Sequence, residues 1–258
     1  MSSDPILRTK VDQLKVEVYA DRRALGSAAG RQAAAKMKEL LAVKPAIRMI
    51  FAAAPSQNEL LETLVRSEGI DWSRVTAFHM DEYIGLPADA PQRFSRFLSE
   101  RLFDRVKPGQ VHLIDCSASI EEECERYGRL ISEAPIDIVC LGIGENGHIA
   151  FNDPPVADFN DPKVIKAVEL DDACRKQQVN DGCFAAFDDV PAHALTLTIP
   201  TLMSGAHLFC AVPGPTKREA VRRTLNGPIA AECPATILRT HADCTLYVDT
   251  DSYGEVRS

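Results

Sequence analysis

Short apolar runs alternate with helix-period patterns along this chain, and the alternation predicts most of its elements. Residues 16–20 read as an opening strand, and Asp21 is placed to cap an Ala-rich helix that runs to about Ala42. Residues 47–53 form a second strand. It leads into Ser56-Gln-Asn-Glu59, a capping-box pattern that starts a helix reaching about Arg66. Residues 75–80 are a third strand, and Pro91 opens an amphipathic helix carrying Phe94, Phe97, Leu98 and Leu102. Strands at 111–114, 136–141, 195–199, 208–212 and 245–248 complete the set, with helices near 119–133 and 215–225. Regular β/α alternation predicts an α/β fold: a doubly wound, mostly parallel sheet with helices on both faces. No linker, internal repeat or low-complexity tract interrupts it, so residues 1–258 are read as a single domain. The pattern weakens at 153–161 and again over the polar stretch 171–190, which are read as a mobile cover over a site.

Composition narrows the function classes. With 45% hydrophobic and 26% charged residues the chain is an ordinary globular protein, and its net charge of −8 argues against nucleic acid as a partner. No apolar run approaches the roughly 20 residues of a membrane span, and residues 1–6 lack a signal-peptide core, so no membrane partner is expected. The eight cysteines contain no C-x-x-C pair and no metal-ligand spacing, and most sit in apolar contexts. Reduced thiols, a cytoplasmic location and no bound metal are the corresponding expectations.

Candidate chemistry concentrates in two segments. The apolar run 138–141 enters a glycine-punctuated turn, Gly142-Ile-Gly-Glu-Asn-Gly147, which presents His148 with Asn146, Asn152 and Asp153 close by in sequence. Imidazole titrates near neutral pH and can shuttle a proton, and Asn146 and Asp153 are placed to fix its tautomer. The alternative is a histidine satisfied by backbone in a tight turn. In the second segment, Asp81 and Glu82 follow an apolar strand directly. Adjacent strand residues point to opposite sides, so one acid is expected in a crevice as a base and the other in a structural role; a helix-capping acid is the competing reading. Pro213-Gly-Pro-Thr-Lys217 is either an anion site at a helix start or a surface lysine beside a turn. No phosphate-binding G-x-x-x-x-G-K-[ST] loop occurs. Gly142 to Gly147 satisfies G-x-G-x-x-G, but His-Ile-Ala-Phe-Asn-Asp-Pro-Pro follows in place of a helix, which rejects a dinucleotide site.

Met80-Asp-Glu-Tyr-Ile-Gly-Leu-Pro87 and Leu141-Gly-Ile-Gly-Glu-Asn-Gly-His-Ile-Ala-Phe-Asn152 resemble the motifs of the glucosamine-6-phosphate deaminase/isomerase family, a relative of the 6-phosphogluconolactonases. Ala194-Leu-Thr-Leu-Thr198 and the turn Gly214 to Lys217 support the match, which spans about residues 15–250. The resemblance implies a Rossmann-like fold and a cofactor-free reaction on an amino-sugar phosphate. In it Asp81 moves a proton between C2 and C1, and His148 opens the sugar ring with Asp153 and Asn146 behind it. Ser56, Glu82, Arg175 and Lys217 are the implied substrate-binding residues, Arg175 only as the nearest candidate for the family's phosphate arginine. The family's states range from monomer to hexamer, so a homo-oligomer is compatible. Two departures stand out. Asp153 takes the place of a glutamate and is one methylene shorter. Ala52-Ala-Ala-Pro-Ser-Gln57 replaces a Thr-Gly-Gly-Thr-like phosphate loop, and Pro55 has no N–H to give. The alternatives are a 6-phosphogluconolactonase-type hydrolase and a non-catalytic sugar-phosphate sensor. The first is disfavoured by Tyr83 where an arginine is typical, and the second by retention of Asp81 and His148.

Overall fold

The computed structural model describes residues 4–117 and 119–254. A hairpin of β1 (Leu7–Val11) and β2 (Leu14–Tyr19) opens the chain. Asp21 caps α1 (Arg22–Val43) by accepting the Ala24 amide at 2.8 Å, as its position in the sequence predicts. β3 (Ile47–Phe51) passes through a 3₁₀ turn (Pro55–Gln57) into α2 (Asn58–Arg66). β4 (Val75–His79) is separated by one residue from β5 (Asp81–Tyr83). A helical stretch follows, made of α3 (Phe94–Leu98), a π turn (Ser99–Phe103) and α4 (Asp104–Val106). Then come β6 (Gln110–His112), α5 (Ile120–Ser132), β7 (Ile138–Leu141), β8 (Ile165–Glu169) and α6 (Asp172–Asn180). The last part holds β9 (His193–Leu197), α7 (Ile199–Met203), β10 (His207–Val212), α8 (Arg218–Asn226), β11 (Cys244–Asp249) and α9 (Thr250–Tyr253).

The central sheet has eight strands in the order β1-β2-β11-β10-β7-β3-β4-β6, parallel throughout except for β1 at one edge. Its inner strands β3, β7 and β10 are mostly apolar on both faces, as a sheet covered on both sides requires, while the edge strands β1 and β6 are largely polar and exposed. Ile47, Met49, Phe51, Ile138, Cys140, Phe209 and Ala211 face one core with α1 and α2. Ile50, Val139, Leu141, Cys210, Val212, Leu246 and Val248 face the other, with α5 and α8. α1 and α2 pack backbone to backbone at two glycines: a Cβ on Gly26 would meet Glu59 Cβ at 2.4 Å, and one on Gly30 would meet Thr63 Cβ at 2.6 Å. That contact fixes where α2 starts, and so where the loop after β3 lies.

The doubly wound α/β expectation therefore holds, with three corrections. The segment assigned to the parallel sheet at 195–199 is β9, and it pairs antiparallel with β5 and β8 in a second, three-stranded sheet. β1, β5, β8 and α6 were not anticipated, and α6 occupies the weak-pattern stretch read as a mobile cover. The Ser56–Glu59 capping box does not form. Glu59 is held instead by Arg22, with Nε at 2.8 Å, and Ser56 Oγ accepts from Gln57 Nε2 at 3.2 Å.

Candidate active site

Parallel strands end their loops on one edge of the sheet, and ligands gather there. Here the turns after β3, β7 and β10, together with Asp81 beyond β4, line a crevice of about 60 Å³. Asp81, His148, Ser56, Lys217, Gln177 and Gln178 all reach its wall, with Phe94, Phe151 and Met80 as apolar lining.

His148 is set by its turn. Gly144 N donates to His148 O at 2.9 Å, Gly147 N donates to Gly144 O at 3.0 Å, and His148 N donates to Asn146 Oδ1 at 3.0 Å. The imidazole lies flat against Gly144: a Cβ there would stand 2.2 Å from ring atoms, so only glycine admits the ring. His148 Nδ1 is 2.8 Å from Asp153 Oδ1 but approaches it off-line, leaving the nitrogen without an aligned partner. The shorter acid thus still reaches the ring. Asp153 is in turn held by Asn146 Nδ2 at 3.0 Å and by the Asp171 amide at 3.2 Å. Burial alone would raise its pKa. The His148 charge and these hydrogen bonds outweigh that and hold the carboxyl below its ordinary value. Asn146 also donates to Asp171 Oδ2 at 3.2 Å, so one amide ties two acids together. Ala150, two residues on, lies in the left-handed region at φ 50°, a conformation that L residues adopt at a cost of about 1 kcal/mol.

Asp81 and Glu82 divide as the alternation of a strand demands. The Asp81 carboxylate faces the crevice and makes no side-chain hydrogen bond among the described residues. Burial first, and Glu82 second, push its pKa well above the ordinary carboxylate value. Glu82 points the other way and is fully buried. Its oxygens accept the amides of Tyr83 (3.0 Å), Phe94 (3.0 Å) and Ser95 (2.9 Å), which pins the start of α3. The expectation that Glu82 contacts substrate is therefore corrected: three backbone amides occupy it, outside the crevice lining. His79 supports the same strand end. The Ile114 amide donates to Nε2 at 2.8 Å, so Nδ1 carries the proton and donates to Asp81 O at 2.9 Å. Burial, foremost, lowers the His79 pKa, consistent with a neutral strut.

The opposite end of the crevice is less bonded. Lys217 is buried, 5% exposed, yet makes no side-chain hydrogen bond or ion pair among the described residues. Burial lowers its pKa, with Asp181 and Glu145 pulling the other way. Gln57 donates to Ala211 O at 3.1 Å while its Oε1 is buried without a partner among the described residues, where the Gln178 side chain makes no hydrogen bond either. Gln177 is spent on the Glu145 amide, at 2.7 Å.

Arg175 is not brought to the crevice. Its guanidinium donates to Val190 O at 2.8 Å and Phe187 O at 3.1 Å and stacks 4.0 Å above the Phe187 ring, tying down the following loop. Within α6 the Gln177–Gln178 pair lines the crevice, while Arg175 lines a separate surface depression with Val190. Gln57, Gln177, Gln178, Asp171, Cys174 and His79 were not singled out from the sequence. Asp171, Cys174, Gln177 and Gln178 lie in a polar stretch, and Gln57 and His79 stand singly, so no hydrophobic period marks any of them.

Fold and crevice together define an α/β protein of Rossmann-like type with its ligand groups at the strand ends. A family model described as glucosamine-6-phosphate isomerases/6-phosphogluconolactonase matches residues 20–247, and the chain belongs to that family. A glucosamine-6-phosphate deaminase of Bacillus cereus (strain B4264) is 39% identical over 189 residues, covering 73% of this chain and 70% of that protein. A solved monomeric glucosamine-6-phosphate deaminase superposes with a TM-score of 0.83 at 32% identity, over 92% of this chain and 98% of that one. A 6-phosphogluconolactonase from Thermotoga maritima gives 0.75 at 24% identity, over 92% and 99%, which shows a shared fold. No helix among the described residues is long and apolar enough to cross a membrane.

Proposed function

We propose that this protein converts an amino-sugar phosphate of the glucosamine 6-phosphate type, with water, to the ketose phosphate and ammonia. The observation that carries the reading is one crevice holding a free carboxylate, Asp81, a carboxylate-backed imidazole, His148, and an unpaired buried ammonium, Lys217. His148, with the Asp153 carboxylate 2.8 Å from Nδ1 to stabilise its protonated form and Nε2 as the basic nitrogen, takes the O1 proton of the cyclic sugar and returns one to the ring oxygen. Asp81 removes the C2 proton of the open aldose and delivers it to C1. The resulting C2 imine adds water and expels ammonia. Lys217 and Ser56, at the start of the helical turn after β3, meet the phosphate. Asp81 is suited to its part because a carboxylate with a raised pKa is a stronger base than one in water.

The lactonase reading draws less support. Lactone hydrolysis needs no base at C2, and the lactonase likenesses lie at 24% identity and below while a deaminase likeness stands at 32%. The test is ammonia release in a coupled assay from glucosamine 6-phosphate and from a panel of amino sugars with and without phosphate. Release confined to phosphorylated amino sugars is expected. Ligand binding by thermal shift with no release from any compound would overturn turnover in favour of a sensor, and hydrolysis of 6-phosphogluconolactone would favour the lactonase.

A further inference from the structure

Beside the His148 ring three ligand atoms of different chemistry converge, and neither Asp153 nor Cys174 lines the crevice. A His148 ring nitrogen, an Asp153 carboxylate oxygen and Cys174 Sγ lie within 4.8 Å of one another, and all three residues are buried. A proton relay uses the first two and has no use for a thiol. We propose that this trio is a binding site for a thiophilic divalent cation of the zinc class, and that its occupation switches the protein off.

The donor set argues for the ion. One nitrogen, one oxygen and one sulfur make a zinc donor set, whereas calcium and magnesium take oxygen ligands. Zinc–ligand distances of about 2.0–2.3 Å put tetrahedral ligand atoms about 3.3–3.8 Å apart, and the three atoms here lie within 4.8 Å of one another. On binding, the 2.8 Å His148–Asp153 contact has to widen, and any pair standing wider than about 3.8 Å has to close by up to about 1 Å.

A second observation is independent of composition. His148 Nδ1 is buried without an aligned hydrogen-bond partner, so a donor atom aimed at the cluster is left under-satisfied. The outer contacts are also those of a metal site. Asn146 and the Asp171 amide orient the carboxylate, and Gly144 fixes the plane of the ring.

Charge closes the argument. A thiolate and a carboxylate neutralise a divalent cation, and a neutral assembly tolerates burial where an unpaired charge does not. On binding, the Cys174 thiol gives its proton to solvent and the imidazole proton moves from Nδ1 to Nε2, so one proton is released per ion. His148 then has no free nitrogen with which to accept a proton. This inhibitory consequence rests on the role proposed above for His148; binding itself does not.

The experiment uses chelator-stripped full-length protein titrated with Co²⁺, which reports thiolate ligation by a near-ultraviolet charge-transfer band. The expected result is a band saturating at one ion per chain, displaced by Zn²⁺ and indifferent to Mg²⁺. Cys174→Ser, or Cys174→Ala should the first variant not fold, loses the band, binds at least about tenfold more weakly, and retains turnover that now resists zinc. Zinc-edge X-ray absorption of the wild-type protein gives one sulfur among its ligands. A missing cobalt band, a zinc shell without sulfur, or affinity unchanged by both Cys174 variants overturns the site, whether or not the protein releases ammonia. Stoichiometric binding without loss of turnover overturns only the switch.

Discussion

The two ends of the crevice are built on opposite plans. Around His148, Asn146 and Asp153 are bonded to each other and to Asp171, and the ring is wedged on Gly144. At the far end Lys217 and Gln178 have no side-chain partners among the described residues, and Gln57 Oε1 is buried without one. Proton transfer needs its geometry in place before the substrate arrives, because misplacement at the reacting atoms is costly. Groups that receive an anion are completed by the anion itself. Asp81 combines both plans: His79 grips its backbone while its carboxylate stays free. The sparse end is lined by Ala52, Ala53 and Ala54 ahead of Pro55, which has no N–H to give, while at the dense end Asp153 stands 2.8 Å from the His148 ring.

The sharpest break of this contrast is Asp81→Asn. It preserves shape and removes the base, so kcat should fall by about 10⁴-fold, the upper range for general-base catalysis, with substrate Kd nearly unchanged. Thermal stability should move the other way. The folded-state pKa of Asp81 is raised, so between the ordinary carboxylate range and that raised value the native state holds a proton that the unfolded chain has lost. Stability therefore declines as pH rises through this window, and the amide relieves the decline. A gain of about 1 kcal/mol, roughly 2–4 °C in Tm, is expected at neutral pH and should vanish at low pH. The same shift places the acidic limb of the wild-type kcat/KM profile above the ordinary carboxylate range, because activity needs ionised Asp81. An active Asp81→Asn enzyme, or a limb at the ordinary value, refutes the assignment.

His148→Gln tests the dense end at its centre. Loss of the ring-opening base should cost about 10²-fold on cyclic substrate and far less on the open-chain form, which bypasses that step. Equal losses on both forms would remove ring opening from its duties.

How far the sequence alone carried these assignments depends on what held each residue in place. Strands β3, β4, β7 and β10 are mostly apolar, interrupted only by Arg48, Thr76, His79 and His207, and legible because most of their residues are buried, and the turn that carries His148 is marked by its glycines. β8 and β5 were not legible, since five and three residues of mixed character become strands only by pairing with β9, distant in sequence. α6 hid for another reason: Gln177 and Gln178 face a crevice and Arg175 an adjacent loop, so two of its three buried positions are polar and Cys174 alone makes no hydrophobic period. The Ser56–Glu59 pattern misled because a local motif lost its carboxylate to Arg22, thirty-seven positions away.

At the sparse end, Lys217→Ala should raise KM while leaving kcat within a few-fold. A charge-assisted hydrogen bond contributes about 1.5–3 kcal/mol, and the change in KM should be roughly ten- to hundredfold. The change should appear with phosphorylated substrate and shrink for an unphosphorylated amino sugar. A KM unaffected by the substitution would take Lys217 out of the site.

The smallest effects come from two neighbours on α6, and they separate what the resemblance suggested from what the fold built. Gln178 presents a neutral amide to the crevice, so Gln178→Ala should raise KM only a few-fold, in line with about 0.5–1.5 kcal/mol for such a bond. Arg175→Ala removes a guanidinium committed to Val190 O, Phe187 O and the Phe187 ring, none of which lines the crevice. Its cost should appear in thermal stability, with KM for the phosphorylated substrate unmoved. If Arg175→Ala instead raises KM more than Gln178→Ala does, α6 must rearrange on binding to swing the arginine toward the phosphate, and the sparse end would be an open form of a tighter site.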